Sequence, residues 1–210
     1  MADFNRIYLD SNVLIASNWP KLSGVLESIF TLADIFRIEI YLPEAVEAEL
    51  QAHWLRIFRE KCLKITKASA EVNKYLSDLG EEEVSLNFKE EQQALAAYSK
   101  KVDQTKHVWN IRNVPLTSRS IAELFAIVVR QFSPFREADI GFKDAVIYFS
   151  IIDQLRTDAA HGGAFVSADR IFLDAKMQEL VKAAEVSLAV YTDLSDLHTE
   201  LTLIRQKIMD

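Results

Sequence analysis

Four acidic side chains stand where they could do chemistry together. Asp10 follows the apolar run Ile7-Tyr8-Leu9 and opens the polar cluster Asp10-Ser11-Asn12. Asp169 follows a second apolar run, Ala164-Phe165-Val166, through Ser167-Ala168. Glu49 falls about two turns into a helical stretch that starts after Pro43, and Asp144 stands near the start of an apolar helix after Gly141-Phe142-Lys143. Crowded acids repel, so such a group makes sense chiefly around a cation. Carboxylate-only sites favour the hard cations Mg²⁺ or Mn²⁺. No softer site competes: His53, His107, His161 and His198 are scattered without ligand spacing, and the single cysteine, Cys62, cannot build a zinc site.

The elements that must position these acids alternate in type. Ile7-Tyr8-Leu9 reads as a buried strand with a tight exit into a helix. A helix is expected over about 22–36, a strand over 37–42, and a Pro-led helix start at Pro43. From Glu44 the apolar residues Leu50, Trp54, Ile57 and Phe58 recur at helical spacing, for one long helix or two, as far as Gly80. Asn87 with Glu90, and Ser120 with Glu123, look like capping boxes that open helices over about 88–110 and 120–132. Residues 44–132 therefore read as almost wholly helical. Helices over 142–155 and 169–184 flank a short strand at 164–166. A last strand over 186–191 precedes a C-terminal helix capped by Thr192 or Asp193. The expected fold class is α/β: a mostly parallel central sheet of about four to five strands with helices on both faces and an extended helical insertion. We read residues 1–210 as a single domain, with the helical elaboration at about 55–132. In such sheets ligands bind at the carboxyl ends of strands, which brings Asp10 and Asp169 to one edge.

Composition narrows the class. The 210 residues are 50% hydrophobic and 26% charged, enough for a real core. Gly and Pro number 5 and 4, too few for flexible linkers. The N-terminus lacks the basic start and long apolar run of a signal peptide, and the longest apolar runs are too short to span a bilayer. The expected protein is cytoplasmic, with no membrane partner. The net charge of −7 argues mildly against a DNA-coating protein but leaves room for a metal-loaded acidic site beside a local basic patch.

Four segments carry a family resemblance. Tyr8-Leu9-Asp10-Ser11-Asn12-Val13-Leu14 resembles the opening motif of PIN domains, an apolar strand ending in Asp-x-Asn. Leu42-Pro43-Glu44-Ala45-Val46-Glu47-Ala48-Glu49-Leu50 resembles the second motif, Lys143-Asp144-Ala145-Val146-Ile147 the third, and Phe165-Val166-Ser167-Ala168-Asp169 the fourth. The resemblance covers roughly residues 5–50 and 134–192. The middle segment is longer than in compact VapC-type toxins. With Pro134-Phe135 before Gly141 to Ala145, the chain looks more like larger PIN-like bacterial proteins. The resemblance implies a metal-dependent endoribonuclease acting on single-stranded or structured RNA, with Asp10, Asp144 and Asp169 as metal ligands. Glu49 would be a further ligand or a positioner of water, with Glu47 as its competitor. Asn12 and Ser167 would orient ligands or bind phosphate. A toxin role would bring an inhibitory protein partner, and apolar helices in the middle segment make a homodimer unsurprising.

Plainer readings compete at each position. Asp10 and Asp169 have the residue type of helix caps, and Asp144 suits any first helical turn. Asp153 reads as surface and Asp139 as a decoy for Asp144. Arg56, Arg59, Lys64 and Lys67 recur at helical spacing as a stripe, either a solvated face or a phosphate track for substrate. Lys143, beside a proposed ligand, is a further phosphate contact, with Arg112, Arg119 and Arg136 weaker ones. Trp54 and Trp109 read as core. A PIN-like binding or regulatory subunit with little chemistry is the alternative function. A haloacid-dehalogenase-type phosphatase fits poorly, because a second Asp is expected where Asn12 stands.

Overall fold

The computed structural model describes residues 4–22, 24–124, 126, 141–158 and 162–209. The helix end expected near Phe132, together with Pro134, Phe135, Arg136, Asp139 and His161, lies outside the described residues.

Five strands form one parallel sheet: β1 (Arg6–Leu9), β2 (Glu39–Pro43), β3 (Arg112–Val114), β4 (Gly163–Val166) and β5 (Leu188–Tyr191), in the order β3-β2-β1-β4-β5. Alternate side chains face opposite sides of a strand. Tyr8 therefore shares a face with its register partners Tyr41 and Phe165, and Ile7 shares the other with Ile40 and Ala164. The helices are α1 (Ser11–Ala16), α2 (Val25–Phe36), α3 (Glu44–Leu79), α4 (Glu91–Val108), α5 (Phe142–Thr157), α6 (Ala175–Ala183) and α7 (Leu194–Met209). The apolar α5 covers the Tyr8 face, with the Tyr148 ring 6.5 Å from that of Phe165 and 5.4 Å from that of Phe172. On the opposite face α2 and α7 pack together, joined by Ser28 Oγ and His198 Nε2 at 2.8 Å.

Chain direction reverses about β1. The connections from β1 run outward to β2 and β3, whereas β4 returns to its other side and continues to β5. The carboxyl ends of β1 and β4 thus flank a topological switch point, where open α/β sheets bind ligands.

Several sequence expectations are corrected. The middle of the chain is not wholly helical, because β3 lies within it. Of its three residues only Val114 is buried, so no alternation marks it, and its pairing with β2 defines it. The Asn87–Glu90 box does not form. Helix α4 begins at Glu91, with Glu90 making no side-chain cap bond. Residues 81–90 instead form a strap without regular secondary structure. The Asn73 side chain ties this strap to α3, accepting from Val84 N at 2.8 Å and donating to Val84 O at 3.1 Å. The stretch from Asp169 is not one helix. Asp169 caps a 3₁₀ turn over Arg170–Leu173, and Asp174 caps α6. The Ser120–Glu123 box does form: Glu123 Oε2 accepts from Ser120 N at 2.7 Å, and Glu123 N donates to Ser120 Oγ at 3.2 Å.

Helix α3 is a single element of 36 residues. Its first turns bury Val46 and Leu50, and Trp54 stacks on Phe58 and Tyr98 at 5.4 and 4.9 Å. Gly80 ends it in the left-handed region, φ +70°, where a residue without Cβ is unstrained.

Candidate active site

Asp10 is the first residue beyond β1 and is 3% exposed. Its Oδ1 caps α1 by accepting from Ser11 N at 2.7 Å, and its Oδ2 accepts from Ser167 Oγ at 2.5 Å. Parallel register places Ser167 there, since Leu9 pairs with Val166 and each strand ends at the same level. Asn12 staples the same two segments, accepting from Ala168 N at 3.2 Å and donating to Ser167 Oγ at 3.4 Å. Asp169 follows, its own N–H donating to Ser167 Oγ at 3.1 Å and its Oδ1 accepting from Ile171 N at 3.0 Å.

Glu49 joins from α3. Ser11 Oγ donates to Glu49 Oε2 at 2.9 Å, and Glu49 Oε1 pairs with the Lys143 ammonium at the start of α5. Glu47 turns elsewhere, pairing with Lys106 of α4 at 2.9 Å. Of these two acids it is therefore Glu49 that lies beside the Asp10 segment. Asp144 sits in the first turn of α5, where the helix N-terminus favours an anion.

The electrostatics register this crowding. Burial pushes the Asp144 carboxyl up to about 6; Lys143 opposes the rise, and the charges of Asp169, Asp10 and Glu49 add to it. Burial also raises Asp10, against the Ser167 and Ser11 hydrogen bonds, with Glu49 adding to the rise. Partial burial works to lower Lys143, but pairing with Glu49 and the nearby Asp144 and Asp10 outweigh it and hold the ammonium above its usual range. Asp10 and Asp144 are thus less comfortable as anions, through burial first and neighbouring acids second, a condition that an added cation relieves. The donors are all carboxylate, hydroxyl or amide oxygens, a hard set suited to Mg²⁺ or Mn²⁺. Among the described residues, however, no three such side chains stand in a ready-made ligand geometry, and Lys143 provides positive charge between the acids.

Other expected substrate contacts stand apart. Arg56 pairs with Glu60 at 3.2 Å and touches His53 at 3.1 Å. Lys64 and Lys67 are exposed on α3, displaced from Glu49 along the helix axis by roughly 20 Å or more at 1.5 Å per residue. Arg112 pairs with Glu39 at 2.6 Å. Asp153, expected on the surface, is half-buried. It accepts from Arg119 Nη2 at 2.9 Å and Thr117 Oγ1 at 2.6 Å, while the Arg119 guanidinium lies 4.3 Å from the centroid of the Phe149 ring. These bonds fasten residues 117–119 to α5 and occupy Arg119. Trp54 and Trp109 pack against the core as expected. Sequence reasoning gave Ser11 no role, although its hydroxyl links Glu49 to the Asp10 segment. Its place between Asp10 and Asn12 was the available signal.

A five-stranded parallel sheet with helices around it, and acids near its switch point, defines the class as an α/β protein. The PIN domain family model matches residues 7–172, and the chain belongs to that family. PIN domains are generally nucleases that use divalent metal ions. No curated protein and no solved structure matches the chain significantly. No helix among the described residues is long and apolar enough to cross a membrane.

Proposed function

We propose that this protein is a metal-dependent endoribonuclease of the cytoplasm, acting as one domain with its helical elaboration. What supports the reading is that the Asp10 segment is bonded to Ser167 and, through Ser11, to Glu49, and that the charges of Asp169, Asp10 and Glu49 reach Asp144. Asp10, Asp144 and Asp169, with Glu49, would hold Mg²⁺ or Mn²⁺. When bound, the ion supplies the charge that lowers the pKa of water and offsets the charge developing on a phosphodiester. The remaining groups have separable tasks. Ser167 and Ser11 fix the two oxygens of Asp10. Asn12 holds the β1 and β4 ends in register, and Ser11 orients Glu49. Lys143, released from Glu49, is the cation nearest to hand for a substrate phosphate.

One observation favours a second reading, a PIN-like binding subunit with little chemistry: Glu49 is already neutralised by Lys143, and no ligand geometry is ready-made among the described residues. One experiment separates the two. Single-stranded and structured RNAs, with single-stranded DNA alongside, are incubated with Mn²⁺, Mg²⁺ or EDTA, against Asp10→Asn as control. The expected result is cleavage that needs metal, favours RNA and is lost in a folded Asp10→Asn variant. RNA retention without cleavage in any metal would support the binding subunit and overturn the enzyme.

A further inference from the structure

Beyond the first turns of α3, the helix and its strap form an arm with an unusual surface. Eight of the fifteen exposed large apolar side chains among the described residues fall between Leu63 and Phe88, so this short arm carries more than half of them. Ile65, Ala68, Val72, Tyr75 and Leu79 follow one another at alternating steps of three and four, the spacing of a coiled-coil seam. Within that seam Ile65, Val72, Tyr75 and Leu79 are 47, 48, 72 and 75% exposed.

The charge along the arm is polarised. At its base, residues 56–67 hold five cations and one acid, net +4. Towards its tip, residues 71–83 hold five acids and one cation, net −4, with Glu81, Glu82 and Glu83 in the strap just past the helix end. Arg56 and Arg59 at the base pair with Glu60 and Glu91, which leaves Lys61, Lys64 and Lys67 to complement the acidic tip of a second arm turned end to end.

We infer that the arm is a homodimerisation element: the α3 seam of one chain packs antiparallel on that of a second copy, about a two-fold axis near Ala70. Such an interface is isologous, each arm's base meeting the other's tip. An axis at Ala70 sets Ile65 level with Tyr75 of the second copy and Val72 level with its Ala68. The small side chain of Ala68 allows close approach. Lys64 then flanks the second copy's Asp78, the type of charged pair that sets orientation in coiled coils. Lys64 has no ion-pair partner within its own chain among the described residues. RNA fits the arm less well, because the acidic tip repels phosphate and the apolar seam offers it nothing.

The test is sedimentation velocity of the full chain over a range of concentrations. Wild type is expected to dimerise. Val72→Ser with Tyr75→Ser, both exposed and so compatible with an unchanged circular dichroism spectrum, should weaken the dimer at least about tenfold. Lys64→Glu and Asp78→Lys should each weaken it, and mixing the two should restore a heterodimer. A wild-type chain that stays monomeric at every concentration overturns the inference, as does a dimer that the seam variants leave intact. RNA binding lost on reversing Lys64 and Lys67, with wild type monomeric, assigns the arm to RNA instead.

Discussion

The 2.5 Å hydrogen bond from Ser167 to Asp10 is buried and links two strand ends. Ser167→Ala would leave an acceptor oxygen of Asp10 short of its donor, at a cost of about 1–3 kcal/mol. Because that donor orients a proposed ligand, divalent-cation affinity should fall about 10- to 100-fold. Urea denaturation and calorimetric titration with Mn²⁺ read the two effects, and unchanged affinity would show that Ser167 serves the fold alone. Asp144 has the opposite sign. Its carboxyl is held at about 6 against an ordinary 3.8, so its contribution to stability is present below 3.8 and is lost as pH climbs through 6. Asp144→Asn removes that loss. In EDTA the variant should be more stable than wild type near pH 7.5, by about 1–2 kcal/mol once solvent screening is allowed for. The two stability curves should meet near pH 4. A variant less stable than wild type at both pH values would mean that Asp144 is held by favourable contacts rather than crowded by neighbours.

At the scale of the element, close approach governs what β4 tolerates. A Cβ on Gly163 would lie 2.8 Å from Tyr8 Cε2 and 3.2 Å from Leu188 Cδ1. Tyr8 is fully buried and stacked on Tyr41 at 5.4 Å, so its ring cannot yield. Gly163→Ala should therefore destabilise the fold by about 1–3 kcal/mol, readable as a lowered denaturation midpoint. The elements that were legible in the sequence are those whose signal is local. Strands β1 and β4 announced themselves as apolar runs, β2 by alternation at its start, and α5 by its strongly apolar character. Asp10 and Asp169 followed from strand polarity alone. What escaped depends on distant partners. Strand β3 exists because β2 is there to pair with it. Asn87 and Glu90 carry a capping signal, but the strap is fastened at Val84 by Asn73, eleven residues earlier. Ser11 acquires its task only when α3 brings Glu49 to it. The Arg56–Lys67 stripe is one face of a helix by spacing, yet spacing says nothing of where that face ends up, and it leads away from the acids.

For the whole molecule, net charge and site act in the same direction. A chain of net charge −7 that concentrates carboxylates at one sheet edge should be stabilised by divalent cations that bind only when folded. Mn²⁺ at a hundred times its dissociation constant should add about 2.7 kcal/mol. The melting temperature should rise accordingly in wild type and much less in Asp10→Asn. An equal rise in both would place the bound ion elsewhere.

The order of the strands also has a consequence in time. Asp10 and Glu49 belong to the first part of the chain, Asp144 and Asp169 to the last, and β4 must dock beside β1 before the two pairs meet. During synthesis, any activity that needs all four acids is withheld until Asp169 has left the ribosome. By the same logic, a cut in the strap over 81–90 would yield two fragments, each carrying half the acids. Their activity would return only on reassembly, which makes the strap a natural place to divide this protein into a complementation pair.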